Sequence, residues 1–427
     1  MNANNSRRLR SSATVAALLM GLASAACDGL LDVTNPGFIG EEKLTDPGLE
    51  QLVVNGAIGE FQYAFGQYAL WSGVLADEAF TDHTQVGVRE FSLHNITEIN
   101  DLNESVYSYI HRARASAEDG VVRLRVMLDA ATAAKSLNVA TLLALGGYSY
   151  VLLGEGFCES PVNLGPGLSS DDLLKRAGPL FDEAISVATA AGSSAAATDL
   201  INMARVGAAR AALKLGDLAK AKGYAALVPA SYEKWAYYSS NSVRENNVLN
   251  VPAGVSGAWL STGPTFFNVN DPRVPHTTAT NQRGLNSNPI FPPRKPYMYS
   301  GWSATAVNDL IATNTHIRMA TGLEARYVVA EADGATPGTL AFVNERRAVG
   351  GKPAVTLASA ELMAELRTQR SLDFYLAGQR LGDLRRYEKA GIRLFPTGKY
   401  PVTNEVYGDA KCFIVPLSEK ATNPNYK

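Results

Sequence analysis

The chain has 427 residues, of which 46% are hydrophobic, with 39 Lys and Arg against 41 Asp and Glu and a formal net charge of −2. This composition is typical of a folded globular protein, since long disordered segments need fewer apolar residues and more charge. Residues 1–26 carry three arginines and no acid, so the remainder holds 36 basic and 41 acidic residues. Nucleic-acid binding depends on Lys and Arg neutralising phosphates, so this balance excludes nucleic acid as the expected partner.

The N-terminus has the pattern of an export signal. A basic segment precedes an uncharged apolar stretch, residues 11–26, which ends in small residues and is too short to span a bilayer. The Cys that follows, Cys27, is placed as in the lipobox of bacterial lipoproteins, where it becomes the lipidated first residue. Ser24 stands where such motifs usually have Leu, so plain cleavage is the alternative. We predict a signal peptide over residues 1–26 and a lipid anchor on Cys27.

The cysteine content agrees with export. After Cys27 the chain has only Cys158 and Cys412. Two cysteines in an oxidising compartment commonly pair, so we expect a disulfide between them. Two unpaired buried thiols are the alternative.

Helical periodicity dominates most of the remaining chain, residues 27–427, which we interpret as one domain. The run from Ser136 to Gly154 has no charge, but its Asn, Tyr and Ser residues favour a buried helix over a membrane span. The predicted helices cover residues 47–68, 103–126, 130–153, 171–191, 199–215, 218–228, 322–332, 338–348, 358–377 and 380–390.

One pair of helices has the pattern of a tetratricopeptide-type hairpin. An Ala-rich segment, residues 199–215, is followed by the turn Gly216-Asp217 and a second Ala-rich segment that ends at Pro229. Small residues allow two helix backbones to approach closely. Residues 142–150 and 173–188 form a looser hairpin of the same kind. The predicted fold is therefore mostly α, with tetratricopeptide-like hairpins.

The segment 231–303 differs from the rest. It is rich in Trp, Tyr, Phe, Asn, Pro and Gly and has no helical period. An irregular insertion of this length inside a folded chain is usually functional.

Motifs of catalysis are missing. The sequence has no P-loop, dinucleotide fingerprint, HExxH, GxSxG or CxxC motif. We therefore expect no enzyme, no cofactor and no metal; a structural Ca²⁺ has no support in the sequence. A hydrolase with two carboxylates brought together only by the fold stays open as a further alternative.

Several segments together resemble the SusD/RagB family of nutrient-binding outer-membrane lipoproteins. The C-terminal stretch 370–386 is similar to the family's arginine-rich signature, with Gln369 and Ala377 in place of two usual Glu residues. The other matching segments are residues 317–332, residues 342–347, the triplet Asp271-Pro272-Arg273 and the tail Asn423-Pro424-Asn425.

This resemblance implies a tetratricopeptide-like, non-catalytic protein. It would be lipid-anchored in the outer membrane, facing the exterior, and would bind an oligosaccharide or peptide for delivery to a SusC-like TonB-dependent transporter. A helical-repeat scaffold that binds another envelope protein, without a small ligand, is the alternative.

Exposed aromatic side chains can stack on the C–H faces of sugars, while Asp, Asn and Arg bond the hydroxyls. On this basis we predict eight ligand-binding residues, each of which has a place in the core as its alternative. They are Tyr68, Trp71, Asp77, Arg89, Trp259, Tyr297, Tyr299 and Trp302. The signature residues instead favour a structural ion-pair network or a face that docks on the channel. Their spacing allows the i,i+3 pairs Arg370–Asp373 and Arg380–Asp383, and Arg385 belongs to the same set.

Overall fold

The computed structural model describes residues 45–254, 257–278, 281–400 and 403–426. The leader predicted over residues 1–26 and the predicted anchor Cys27 lie outside the described residues. Within them the chain is mostly helical, which confirms the predicted fold class. Residues from Pro47 to Lys427 cluster as one unit.

The described residues form fourteen α-helices. They are α1 (Glu50–Leu75), α2 (Val86–Ser92), α3 (Asp101–Met127), α4 (Ala130–Ala133), α5 (Leu137–Gly156), α6 (Ser170–Ala190), α7 (Ala195–Lys214), α8 (Leu218–Ala225), α9 (Pro264–Phe267), α10 (Gly322–Asp333), α11 (Pro337–Val349), α12 (Ser359–Asp373), α13 (Arg380–Lys389) and α14 (Leu417–Thr422).

Six short strands accompany them and form three antiparallel pairs. The strands are β1 (Ala79–Thr81), β2 (Glu159–Pro161), β3 (Gly167–Ser169), β4 (Glu233–Ala236), β5 (Leu260–Thr262) and β6 (Ile317–Thr321). Strand β1 pairs with β5, β2 with β3, and β4 with β6.

The predicted hairpin at Gly216-Asp217 is confirmed. Gly216 has φ +81°, a left-handed conformation that glycine adopts without strain, and it ends α7. Asp217 then begins α8, because its carboxylate accepts a hydrogen bond from the backbone N–H of Lys220 at 3.0 Å. The turn residues therefore set both helix boundaries.

Neighbouring helices pack on one another in chain order. Helix α1 packs on α3 and α3 on α5; α5, α6, α7 and α8 each pack on the next helix in the chain, and α10 packs on α8. We call these seven helices the helical frame. Glycines bring the backbones together: a Cβ on Gly147 would lie 2.8 Å from the Phe181 ring, and one on Gly207 would clash with the same ring. Phe181 of α6 is thus held between α5 and α7.

Helix α5 is long and apolar enough to cross a membrane by length and composition alone. In the structure it is a core helix, since 83% of its most apolar window is buried among the other helices. The interpretation of residues 136–154 as a buried helix is confirmed.

Several predicted helices have different bounds: the helix expected over residues 47–68 runs to Leu75, and the one expected over residues 199–215 begins at Ala195. Two others differ more. The single helix expected over residues 130–153 is divided, because Asp129 caps the short α4 and Ser136 caps α5 separately. The helix expected over residues 358–377 ends at Asp373, and the backbone turns at Leu376 with φ +53° and at Gly378 with φ +72°. Local caps and a left-handed turn override the apolar period in both cases.

The aromatic-rich segment 231–303 is irregular, as predicted. Its described residues, 231–254, 257–278 and 281–303, contain only the strands β4 and β5, one 3-10 turn and the one-turn helix α9. Two strand pairs attach it to the helical part of the chain: Ala79 of β1 lies opposite Thr262 of β5, and Ala236 of β4 lies opposite Ile317 of β6.

A disulfide joins Cys158 to Cys412, whose Cα atoms are 5.3 Å apart. Backbone hydrogen bonds surround it: Cys158 N donates to Phe413 O at 3.0 Å, and Phe413 N donates to Gly156 O at 2.8 Å. The bond closes a loop of 254 residues in sequence separation. It ties the tail to the end of α5, and bonds of this kind typically contribute about 2–4 kcal/mol.

Five buried charged side chains link the C-terminal helices to the helical frame. Arg210 donates to Glu155 through Nε at 2.9 Å, Lys214 Nζ donates to Asp383 Oδ1 at 2.6 Å, and Arg370 Nε donates to Asp383 Oδ2 at 2.7 Å. None of the five is more than 6% exposed. We call them the ionic cluster; it joins α5, α7, α12 and α13.

The predicted ion-pair network among the signature residues is therefore present, but the predicted i,i+3 pairs Arg370–Asp373 and Arg380–Asp383 are wrong. Asp373 instead accepts two hydrogen bonds from Arg346, both at 2.8 Å, and one from Arg273 at 2.9 Å. A buried carboxylate is stabilised by several charged donors. An i,i+3 ion pair on a helix surface contributes only a few tenths of a kcal/mol to stability, so it does not replace them.

Two more signature arginines bind backbone carbonyls. Arg385 Nη1 donates to Glu155 O at 2.7 Å and Gly154 O at 3.0 Å, at the C-terminal end of α5. Arg380 Nε donates to Ala76 O at 2.8 Å, just after α1. Cations at helix C-termini are stabilised by the unsatisfied carbonyls and the helix dipole.

We predict that Arg210→Gln lowers the free energy of unfolding by about 3–5 kcal/mol, because Glu155 would keep its charge in the core with one strong donor removed. Arg125→Gln is the matched control: it removes an ion pair with Glu183 in which both side chains are 45% exposed, and we expect at most about 1 kcal/mol. Urea denaturation at neutral pH measures both. Equal destabilisation of the two variants would contradict a structural role for the cluster.

Candidate functional site

Three of the predicted ligand-binding aromatics lie in the core. Tyr68 and Tyr299 are 0% exposed and Trp71 is 5% exposed. Trp71 packs on Phe91 with ring centroids 5.0 Å apart, and the Tyr299 hydroxyl donates to Leu376 O at 2.7 Å. The predicted ligand contacts of these three residues are therefore wrong. Large aromatic rings stabilise a core through the apolar area that they bury, and the buried Tyr299 hydroxyl is satisfied by a backbone carbonyl.

Asp77 is also buried, at 7% exposed. Its carboxylate accepts a hydrogen bond from Thr265 Oγ1 at 2.5 Å, and burial raises its pKa. Its predicted ligand contact is corrected to a structural one: it holds the turn that begins α9. Arg89 lies at the surface and pairs with Glu405 at 2.9 Å. Its role in ligand binding stays a prediction.

The other three predicted aromatics are half-buried but are not gathered at one site. Trp259 stacks on Trp71 with ring centroids 6.1 Å apart. Tyr297 packs edge-on against Trp302 at 4.7 Å, and Trp302 Nε1 donates to Pro272 O at 2.9 Å. Tyr297 lines a cavity of about 170 Å³ that Trp259 and Trp302 do not line. The ligand contacts of these three also stay predictions.

The irregular segment instead builds a cleft around Phe267. Two cavities of about 710 Å³ and 340 Å³ share Phe267 and Asn268 in their walls. We call the pair the Phe267 cleft. The side chains that the argument below uses are Phe80, Phe267, Asn268, Asn270, His276, Asn288 and Phe291.

The aromatic part of the cleft is a cluster of three rings. The Phe267 ring lies 4.3 Å from that of Phe291 and 5.1 Å from the imidazole of His276, measured between centroids. Both Phe267 and Phe291 are half-buried, so part of each ring faces solvent. Burial lowers the pKa of His276, so its imidazole is neutral at neutral pH. The cluster therefore presents uncharged ring surface.

Helix α9 positions Phe267 through β1 and β5. Pro264 occupies the first turn of α9, where its fixed φ suits a helix start. Before it, Gly263 N donates to Glu78 O at 2.8 Å, and a Cβ on Gly263 would clash with Asp77 O. The close approach of these two backbones sets the place at which α9 begins.

Asp82 fixes the loop that carries Asn288. Its carboxylate accepts hydrogen bonds from Asn288 N at 3.0 Å, Asn288 Nδ2 at 2.9 Å and Asn286 N at 3.2 Å. Asp82 is 1% exposed, so these bonds are shielded from water. The amide wall of the cleft is thus held by a buried carboxylate next to β1.

The charged groups in the cleft walls are already partnered. Asp271 accepts hydrogen bonds from Arg273 Nε at 2.9 Å and Nη2 at 2.7 Å, and Lys352 Nζ donates to Val269 O at 2.9 Å. Among the described residues, no group of three or more His, Cys, Asp or Glu is placed to hold a metal ion. The cleft offers ring surface and amides, which suit a neutral polar ligand with apolar faces.

Residues of this cleft were missed in the sequence analysis, although they lie in the segment predicted to be functional. Phe267 is followed by Asn268 and Asn270, and Phe291 is preceded by Asn288 and Asn286. A phenylalanine with two asparagines within five residues of it is the sequence signal that could have identified these cleft residues.

Several solved structures have a fold similar to that of this chain. A SusD superfamily protein from Bacteroides vulgatus matches with a TM-score of 0.65 and 13% identity, over 90% of this chain and 98% of that chain. The chain has the SusD-like fold. Surface glycan-binding protein A from Bacteroides uniformis matches with a TM-score of 0.64 and 14% identity, over 88% and 98%. A laminarin-binding SusD-like protein matches with a TM-score of 0.61 and 14% identity, over the same shares.

These likenesses confirm the resemblance found in the sequence at the level of the fold. No protein-family model matches the sequence, and no curated protein matches it significantly. The short motifs and the helical pattern therefore indicated the SusD-like fold, although the overall sequence similarity to known proteins is too low to reveal it.

Glu78 directly precedes β1 and is 1% exposed. Its Oε1 accepts a hydrogen bond from Leu376 N at 3.1 Å, and its Oε2 has no hydrogen-bond partner among the described residues. Burial raises its pKa from 4.5 to about 8, against the opposing effect of Arg380. Between these two values the folded protein keeps a proton that the unfolded chain loses, so this group destabilises the fold increasingly as pH rises.

We predict that Glu78→Gln stabilises the protein relative to the wild type at about pH 8, by on the order of 2 kcal/mol, and has little effect at about pH 4.5. Gln can keep the hydrogen bond from Leu376 N and has no charge to bury. Chemical denaturation across this pH range measures the difference. The exposed Glu104→Gln should show no such pH dependence; a pH-independent effect of Glu78→Gln would contradict the raised pKa.

Proposed function

We propose that this protein is a SusD/RagB-type binding protein whose Phe267 cleft holds an oligosaccharide without cleaving it. The observation that carries the proposal is the cleft itself, in which half-buried phenyl rings stand beside asparagine amides in a SusD-like fold. Two structural neighbours are described as a surface glycan-binding protein and a laminarin-binding protein, which supports a glycan as the ligand class.

The physical fit of a sugar to the cleft is direct. The axial C–H groups of a pyranose ring form an apolar face, which can stack on Phe267 and Phe291. Asn268 and Asn270 each carry an amide that can donate to and accept from hydroxyl groups, and Asn288, whose Nδ2 donates to Asp82 and Asn286 O, can accept through Oδ1. Rigid phenyl rings lose little conformational entropy on binding, so they serve well as anchors.

The cleft is unsuited to glycoside hydrolysis. That reaction ordinarily needs two carboxylates on either side of the scissile bond. Of the described residues that line the cleft, Asp271 is the only acid, and it is 6% exposed and bound to Arg273. This supports binding without catalysis.

We further propose that the protein delivers the bound glycan to a SusC-like TonB-dependent transporter. Export and lipidation at Cys27 would place it on the outer membrane, facing the exterior. The support is the SusD-like fold together with the leader and Cys pattern of the sequence. The anchor would hold the binding protein near the membrane surface, so that glycan release occurs close to the transporter.

We predict that Phe267→Ala weakens glycan binding by about 2 kcal/mol, roughly thirtyfold, because it removes the ring shared by both cavities. Isothermal titration against laminarin, soluble starch and xylan first identifies the ligand of the wild type. Tyr237→Ala is the matched control, since Tyr237 is 54% exposed and lines neither cavity. Its affinity should equal that of the wild type.

Trp302→Ala separates the Phe267 cleft from the site predicted by sequence. If Trp302→Ala abolishes binding and Phe267→Ala does not, the ligand binds outside the cleft. If the wild type binds no glycan in the panel, the scaffold function becomes the better explanation.

A further inference from the structure

A separate cavity of about 250 Å³ lies on the other side of α9, against α12 and α13. It shares no lining residue with the Phe267 cleft. Its walls are largely apolar, and the apolar side chains include Phe266, Leu372, Phe374, Leu384 and Tyr387. Three arginines, Arg367, Arg370 and Arg380, also line it, so we call it the arginine cavity.

Two of these arginines have unused hydrogen-bonding capacity. Arg380 donates through Nε to Ala76 O, and its two terminal nitrogens make no hydrogen bond within the described ranges. Arg367 is half-buried and forms no ion pair with any described residue; its guanidinium lies 5.6 Å from the centroid of the Tyr387 ring. Both guanidinium groups therefore retain donors that a ligand can use.

The third arginine, Arg370, is 2% exposed and contributes charge at the cavity wall. Asp383 is the only acid among the described lining residues. It is shared by three cations: Lys214 at 2.6 Å, Arg370 at 2.7 Å and Arg386 at 3.0 Å. Lys214 also lies 3.3 Å from Glu155, and Arg386 also pairs with Glu331, so these cations are matched by their own carboxylates. Asp383 forms no ion pair with Arg367 or Arg380 among the described residues.

Asp77 and Glu78 both act electrostatically on Arg380, but neither forms an ion pair with it among the described residues. Burial raises the pKa of Glu78 to about 8, so Glu78 is largely protonated at neutral pH. Partly desolvated cations gain stability from an anionic partner, and planar guanidinium groups match the two oxygens of a carboxylate. The cavity therefore combines two guanidinium groups, which have no ion-pair partner among the described residues, with an apolar wall.

We propose that the arginine cavity binds a small organic anion, namely a carboxylate with an apolar body the size of one ring. The carboxylate meets Arg367 and Arg380, and the ring packs between Phe266, Leu384 and Tyr387. The volume of about 250 Å³ is below the range usual for drug-sized ligands, so an oligosaccharide does not fit there. The site is independent of the proposed glycan cleft.

Isothermal titration of the full chain at neutral pH with three probes tests this. Phenylacetate should bind, whereas phenylacetamide, which has the same shape without the charge, should bind at least about tenfold more weakly. Inorganic phosphate, which has charge without the ring, should also bind at least about tenfold more weakly. Binding of phenylacetate no stronger than that of either other probe overturns the proposal.

Two variants locate the site. Arg367→Gln should weaken phenylacetate binding about tenfold, and it breaks no ion pair with a described residue. Thr368→Glu places a carboxylate at the exposed rim of the cavity and should weaken phenylacetate binding further. Thr368→Gln introduces an uncharged side chain of the same size as Glu and should leave the affinity for phenylacetate unchanged. Arg112→Gln on α3 controls for the loss of one surface positive charge. Phenylacetate affinity that is unchanged in both Arg367→Gln and Thr368→Glu overturns the assignment.

Discussion

The burial of five charged side chains in the ionic cluster is the constraint on which the rest of the structure depends. A charge taken out of water is tolerated only when its partners stand at hydrogen-bond distance. Glu155 and Arg210 belong to the helical frame, and Asp383 and Arg370 belong to the C-terminal helices. The C-terminal helices can therefore dock on the frame in one register.

That docking extends to the proposed binding site through backbone contacts. The turn between α12 and α13 donates from Leu376 N to Glu78, and Glu78 O accepts from Gly263 N directly before α9. Helix α9 then carries Phe267 on the side of the cleft and Phe266 on the side of the arginine cavity. One short helix thus separates two cavities with different linings, and its position follows from the packed helices next to it.

Features that depend on local sequence were predictable. The Gly216-Asp217 turn gave a helix boundary, and the loss of apolar period marked residues 231–303 as irregular. The pairing of Cys158 with Cys412 followed from their number and the export signal. For the signature residues, an ion-pair network was one of the two predicted roles, and buried ion pairs are present, although their partners are not the i,i+3 neighbours.

Features that depend on tertiary packing were not predictable. Trp71 and Phe267 are both aromatic residues beside polar ones, yet one is in the core and the other lines a cleft. Phe266 and Phe267 are adjacent and lie on opposite sides of one helical turn, which no local pattern distinguishes. The partner of Asp373 was missed for the same reason, since Arg273 lies 100 residues away in sequence. Exposure and long-range pairing are properties of the fold.

Hydrogen–deuterium exchange with and without a bound glycan tests most directly the claim that a fixed frame presents the ligand site at the Phe267 cleft. We predict that glycan slows exchange in residues 267–270 and 288–291, which include cleft-wall residues, and leaves α7 and α13 unchanged. Slowed exchange confined to the surroundings of Tyr297 and Trp302, or no change in exchange at saturating glycan, would contradict the claim.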